Sequence, residues 1–359
     1  MTAPSRPVRV AVTGMHLGEN CQPGPGVASS LRRALGDAVF VVGLGYDAMD
    51  SGLHDRGLVD DAFLLPYPSS GPDAFVERLL AIHGEAPFDV LIPCLDAELP
   101  VLSRAAKDLE REGVALIVPG EERLSRCSKS RLPELARSCS IETPVTRPVV
   151  DLGGLAMAGR ELGYPLLVKG PYYEAEVADG EAAAAAAFAR LSARWGLPII
   201  AQQFVEGEEF DVAALGDGQG NTLGAVAMRK TMITRLGKAW GGVTVEDEEL
   251  TAAASRLIAE LEWPGGCEVE MLRSRRDGRV HLIELNPRFP AWIQLSAVAG
   301  VNLPEGLLRL ALGEPVSEFP PPRPGVWYVR HATERFGDLS DLESLMTTSR
   351  RIFSSSSKA

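Results

Sequence analysis

Apolar and polar residues alternate in blocks along the chain, and the blocks change character near residue 120. A β-branched alternation over 8–13 stops at Gly14, and a loop ending Pro23-Gly24-Pro25-Gly26 leads into a helical pattern over 27–35. Apolar runs over 39–42, 88–93 and 114–119 read as buried strands, with helical patterns over 74–83 and 99–112 between them. Strand, loop and helix in that repeating order predict a parallel α/β domain, Rossmann-like, that ends near Pro119.

Beyond it the periods mix. A helix is expected over 129–139, ended by Pro144 because the residue before a proline avoids helical geometry. Strands over 166–169 and 199–204 flank a very Ala-rich helix over 180–195. Four more strands, over 209–216, 222–228, 267–273 and 279–286, are interrupted by a helix over 248–262. That mixture predicts two α+β lobes with antiparallel strands. A helix over 303–312 is closed by Gly313, and Pro320-Pro321-Pro322 opens a tail with one further strand expected at 327–329 and a mobile serine run at 354–357. The expected organisation is 1–120 as the Rossmann-like domain, 121–205 and 206–315 as the two lobes, and 316–359 as a C-terminal extension.

Composition then removes whole classes of function. The 359 residues carry 36 Lys plus Arg against 48 Asp plus Glu, a net charge of −12, with no long basic run to displace counterions from a nucleic acid. Apolar stretches fall well short of the ~18 residues that span a bilayer, and the start of the chain reads as a strand instead of an export signal. Five scattered cysteines without a C-x-x-C pair fit reduced thiols in a cytoplasm, neither a disulfide scaffold nor a zinc site. A small molecule is the natural partner.

Gly43-Leu44-Gly45-Tyr46-Asp47-Ala48 matches a dinucleotide fingerprint, but it follows the second strand of its unit and reads as an ordinary turn. No phosphate-binding G-x-x-x-x-G-K-[ST] occurs. The hairpin over 267–286 says more. Asp277-Gly278 marks its turn, and two registers are open. A two-residue loop pairs Arg276 with Arg279 and points Glu270 away from Glu284. A three-residue loop with Gly278 in the left-handed position pairs Arg275 with Arg279 and sets Glu270 opposite Glu284, with Asn286 on the same face. Two facing carboxylates in an apolar ribbon are costly without a cation, and two carboxylates plus an amide suit Mg²⁺, or Mn²⁺ in its place. An E-x-N pair alone fits a solvated stripe better than a metal site, and the flanking sequence shifts the balance. Glu284-Leu285-Asn286-Pro287-Arg288 adds a guanidinium able to grip a phosphate or carboxylate just past the acidic face. Lys169 ends an apolar strand, which is tolerable where an anion meets it. The segment over 199–210 offers an apolar slot for a base, then a run of carboxylates for a ribose.

Lys129, the stretch 162–169, Gln203 to Glu209 and the 284–288 motif, in this order and spacing, resemble the ATP-grasp superfamily, and most of all its carbamoyl-phosphate-synthetase-like ligases, over about 121–312. The resemblance implies ATP and Mg²⁺ clamped between two lobes. Lys129 and Lys169 would hold phosphates, the backbone of Phe204 and Val205 with the Gln203 side chain would read adenine, and Glu209 would hold ribose. Glu270, Glu284 and Asn286 would carry the metal, with Glu268 as a rival ligand. Arg288 would face the transferred phosphoryl, Arg229 would steady phosphates, and Lys238 and Trp240 would lie in a closing loop. One departure is Gly170-Pro171-Tyr172-Tyr173-Glu174-Ala175, bulkier than the family's Gly- and Ser-rich phosphate cover, where Tyr172 or Glu174 would touch substrate instead.

The activity so implied joins a carboxylate to an amine, an amino acid or small peptide, through an acyl phosphate. The alternatives are an ATP-dependent carboxylase or phosphotransferase and a non-catalytic nucleotide-binding module. Asp96 and Glu98 are candidate contacts for the amine, and the amides over 24–27 for the carboxylate. His16 is a weaker candidate. A homodimer is left open.

Overall fold

Three β-sheets organise the chain in the computed structural model, which describes residues 6–18, 20–170, 174–234, 237–316 and 319–352. Tyr172 and the serine run at 354–357 lie outside the described residues. The first sheet contains β1 (Val8–Val12), β2 (Val39–Gly45), β3 (Asp61–Leu64), β4 (Val90–Ile92) and β5 (Ala115–Leu116), all parallel, in the order β3-β2-β1-β4-β5. Alternation along β1 divides its side chains between two cores. Val10 and Val12 pack with Val27 and Leu31 of the helix Gly24–Leu35, while Ala11 joins Phe75, Leu79 and Leu102 of the helices Pro72–Glu85 and Leu99–Arg111 on the other side. Helices on both faces of a parallel sheet are what the sequence led us to expect. The short strand β3 was not anticipated.

The second sheet is antiparallel, with β6 (Thr146–Val149), β7 (Leu166–Lys169), β8 (Ala175–Ala178) and β9 (Ile199–Gln203) in the order β6-β9-β7-β8. The helices Leu152–Leu162 and Glu181–Trp195 cover one face, where Leu166, Val168, Ile199 and Ala201 are buried. Leu167, Lys169, Ile200 and Gln202 alternate to the opposite face.

The third sheet is built from β10 (Gly207–Asp217), β11 (Thr222–Ile233), β12 (Ala239–Thr244), β13 (Pro264–Ser274), β14 (Val280–Asn286) and β15 (Trp327–Val329), in the order β14-β13-β10-β11-β12-β15. Phe210, Val212, Ala214, Val269 and Met271 point to the helix Glu248–Leu261. The helix Leu132–Ser138 packs into this same core, so the segment from Cys127 to Ile141 belongs physically with the third sheet and not with the second. Ala213, Leu215, Val226 and Met228 face the other way, into a core shared with Phe289, Trp292, Leu303 and the first helix of the chain. Gly207 opens β10 where a Cβ would come within 2.3 Å of the Arg273 carbonyl oxygen, so the strand crossing there admits only glycine.

The last described residues are fastened at two places. β15 extends the third sheet along β12, and β16 (Arg350–Ile352) pairs antiparallel with β3 at the edge of the first.

The hairpin of β13 and β14 departs from both expected registers. Ser274 pairs with Arg279 around a four-residue loop, with Gly278 at φ 74°. Arg275 therefore does not pair with Arg279, and its amide bonds the Glu206 carbonyl instead. A bulge between Glu270 and Met271 then restores the pairing of Glu270 with Glu284, and Glu268 lies across from Asn286. The facing acids were anticipated correctly, but by a different turn.

Candidate functional site

An open cleft of about 440 Å³ separates the uncovered face of the second sheet from β14. Lys169, Ile200, Gln202 and Thr146 form one wall, and Leu282, Ile283 and Glu284 the other, with Lys129 and Leu132 at one end. Lys129 does not head a helix as expected. It occupies the turn between the helices Glu121–Arg126 and Leu132–Ser138, and its Nζ is 3.6 Å from Glu284 Oε1. Burial, then the neighbouring Lys129 charge, push the Lys169 ammonium below the ordinary lysine range, against the pull of Glu284 and Glu270. Burial pushes the Glu284 carboxyl up, against Lys129. Both shifts follow from burying Lys169, Lys129 and Glu284 at one end of the cleft.

Strand alternation gathers Glu268, Glu270, Glu284 and Asn286 on one face. Asn286 Nδ2 donates to Glu268 Oε2 at 3.0 Å and to Glu270 Oε1 at 2.9 Å, which leaves its Oδ1 as an acceptor. Glu268 is the more enclosed acid. Trp292 Nε1 donates to its Oε1 at 2.8 Å, and Arg288 Nη1 to its Oε2 at 3.4 Å. Burial and the Glu270 charge raise its pKa despite Arg288. At Glu270 burial acts upward too, but the Lys230 ammonium and the Asn286 amide outweigh it and hold the carboxyl below its usual range.

Lys230 escaped the sequence reading, which chose its neighbour. Arg229 pairs across β10 with Phe210, on the far face of the sheet, and its guanidinium lies 3.9 Å from Glu208. Period-two alternation turns Lys230 to the acidic face instead, so the expectation that Arg229 steadies phosphates does not stand. Glu209 Oε2 accepts from Lys230 Nζ at 3.2 Å. Phe204 and Val205 fall in the link between β9 and β10, and the Gln203 side-chain oxygen accepts from the Val145 amide, so Gln202 is the glutamine lining the cleft.

Arg288 reaches the first sheet, with Nε 3.3 Å from Asp96 Oδ1 and Nη2 3.3 Å from Oδ2. The two parallel contacts tie the acidic face to the carboxyl end of β4. Lys238 approaches the same corner, its pKa lowered by burial and by Arg288. Trp240 belongs to β12, not to a loop, and its carbonyl accepts from the Arg330 amide.

Several expected contacts are spent internally. Glu174 turns to the helix Glu181–Trp195, bonding Arg194 at 2.6 Å and Trp195 at 3.0 Å, away from the cleft. The helix start at 24–27 is buried, with the Gly24 amide on Gly14, the Val27 amide on Pro23, and Gly26 against Ile293. It has no room for a carboxylate. His16 Nδ1 lies 3.1 Å from Asp50, held against the segment that follows β2.

Glu98 is 0% exposed and cannot reach an amine. It accepts from Thr13 at 2.6 Å, from the amides of Cys94 and Leu95 at 3.2 Å, and from Tyr46. Burial pushes this carboxyl up to about 7 even against those bonds. A folded-state pKa above the unfolded one means that the folded chain holds the proton more tightly. Stability from this group is therefore present below the usual carboxyl range and declines as pH rises toward about 7. We expect urea midpoints to fall between pH 5 and 7.5 by a step that Glu98→Gln removes, on the order of 3 kcal/mol. An unchanged slope in the variant would refute the assignment.

All five cysteines are buried and free. Among the described residues no three His, Cys, Asp or Glu side chains converge as a metal cage, and no helix is long and apolar enough to cross a membrane.

Comparison with known proteins agrees with this geometry. Residues 197–334 match the model of a family described as ATP-grasp in the biosynthetic pathway with Ter operon. The carbamoyl phosphate synthase large chain of Gemmatimonas aurantiaca is 26% identical over 265 residues, covering 69% of this chain and 24% of the relative. That of Mycobacterium tuberculosis is 24% identical over 270 residues, covering 68% and 24%. The chain thus spans about a quarter of the length of these curated relatives. The structure of an L-amino acid ligase from Bacillus licheniformis superposes with a TM-score of 0.65 at 20% identity, covering 86% of this chain and 75% of the other. The biotin carboxylase domain of a Hydrogenobacter thermophilus 2-oxoglutarate carboxylase gives 0.66 at 17%, covering 85% and 70%. The family model over 197–334, the relatives and the shared fold agree in likening the chain to the ATP-grasp superfamily.

Proposed function

We propose that the chain is an ATP-dependent ligase that joins a carboxylate to an amine through an acyl phosphate. The observation that carries this reading is the acidic face of β13 and β14, with Arg288 beyond it, opening on a cleft that two lysines flank. Adenine would lie between Ile200 and Leu282, near the link at Phe204 and Val205, with Gln203 fixing that link through Val145. Glu209 would take the ribose hydroxyls, and Lys129 and Lys169 the phosphates.

The donor set suits Mg²⁺. Glu270, Glu284 and the Asn286 Oδ1 are all oxygen ligands, and few of them are needed, because phosphate and water complete an octahedral shell. The ion would supply charge neutralisation at the phosphate oxygens. The chain's own residues do the rest. Lys129, Lys169 and Arg288 offset the negative charge that develops as the γ-phosphoryl moves to the substrate carboxylate, which at neutral pH is otherwise a poor electrophile. Arg288, anchored by Asp96, orients that carboxylate, and closure of the lobes excludes water that would hydrolyse the activated acyl group. The amine then attacks the acyl carbon, an amide bond forms, and phosphate leaves.

The same fold carries L-amino acid ligation in one neighbour and carboxylation in another, so the products have to distinguish the two chemistries. The test is to incubate the purified chain with ATP, Mg²⁺ and a panel of amino acids, dipeptides and amines, reading ADP release and product mass. ADP together with a condensed product is the expected outcome. ADP with bicarbonate alone would favour a carboxylase, and nucleotide binding without any ADP would favour a non-catalytic module.

A further inference from the structure

Five carboxylates, Glu209, Asp211, Glu268, Glu270 and Glu284, occupy the acidic face, and the chain sets a cation of its own among them. Lys230 Nζ lies 3.0 Å from Glu270 Oε2, 3.1 Å from Asp211 Oδ1 and 3.2 Å from Glu209 Oε2, and its side chain is 3% exposed. Two of its three donors bond Glu209 and Glu270, while Asp211 Oδ1 lies within ion-pair distance without accepting a hydrogen bond. The contacts also join the two ends of the nucleotide site, Glu209 on the ribose side and Glu270 on the phosphate side.

Charge counting gives this arrangement a consequence. Arg288 pairs with Glu268, and the single charge of Lys230 is shared among Asp211, Glu209 and Glu270. Sites this rich in acid that handle phosphoryl groups often hold two divalent ions, about 3.5–4 Å apart. One ion fits between Glu270 and Glu284, which the bulged register sets opposite each other. A second ion on Glu270 would have to bind the oxygen that the ammonium already holds at 3.0 Å, where the two positive charges repel with little solvent to screen them. Resting on the nucleotide reading above, we propose that Lys230 is a positioning residue that replaces one divalent ion, so that the nucleotide-loaded chain holds a single metal ion.

The experiment titrates Mn²⁺ into the full chain saturated with a non-hydrolysable ATP analogue and counts bound ions by electron paramagnetic resonance. Wild type should hold one Mn²⁺ per chain. Lys230→Met, which keeps the length and apolar stem but removes the charge, should hold two. Two ions in wild type, or one in a folded Lys230→Met, overturns the inference. If circular dichroism shows that the variant does not fold, the wild-type count decides alone, one ion for and two against. Failure of wild type to bind the analogue at all overturns the nucleotide reading and this inference together, whereas two ions beside bound analogue overturns only the inference.

Discussion

Glu284→Gln should lower ATP-dependent product formation by at least about a hundredfold, with the unfolding transition nearly unmoved, and Lys169→Ala should do the same. Glutamine keeps the shape of the Glu284 side chain but removes the charge that faces Glu270 across the hairpin and stands 3.6 Å from Lys129. At Lys169 the loss is of a cation that burial and Lys129 already disfavour, so an arriving phosphate gains more from it than from a solvated lysine. Neither side chain belongs to a hydrophobic core, which is why stability should hold. Initial rates of ADP and product formation, with calorimetric melting as the control, check both, and turnover near wild type in either variant would remove the site assignment.

Trp263→Ala should be the most damaging change outside the site, at about 3–5 kcal/mol. The indole is 1% exposed, packs in the core beneath β10 and β13, and donates from Nε1 to the Gly266 carbonyl at 3.3 Å. Its backbone also closes the helix Glu248–Leu261 onto the sheet, with the amide on Ile258 and the carbonyl accepting from Gly218. Those are the strands that carry Glu268 and Glu270, so the acidic face and the core below it loosen together. Urea unfolding followed by tryptophan-independent circular dichroism measures the effect. A loss below about 1 kcal/mol would mean that the cavity collapses freely, contrary to the packing described.

The sequence carried the signal for what depends on local periodicity. The span of β7, Leu166 to Lys169, was legible residue for residue, because four positions ending in one lysine admit little else. The facing of Glu270 and Glu284 was legible for an imperfect reason. A bulge one residue away compensates a longer loop, and bulges leave no pattern in a single sequence. β6 was missed because Pro148 argues against a strand, and only its edge position makes the proline tolerable. Lys230 was missed because its role lies in three carboxylates from β10 and β13, 19 to 40 residues away, which no spacing rule connects. Glu98 read as a candidate contact for an amine and proved to be an internal knot of the first sheet, since its partners Thr13 and Tyr46 are joined to it only by the parallel strands.

The double attachment of the chain's last stretch bears on how the molecule could be shortened. Ending it ahead of Trp327 would bare the outer backbone of β12 and of β3 at once, two unpaired ribbons on separate sheets. One of them runs directly from Lys238, so self-association through that ribbon would compete with whatever the lysine is meant to meet. In this protein the tail doubles as insulation for two sheet edges.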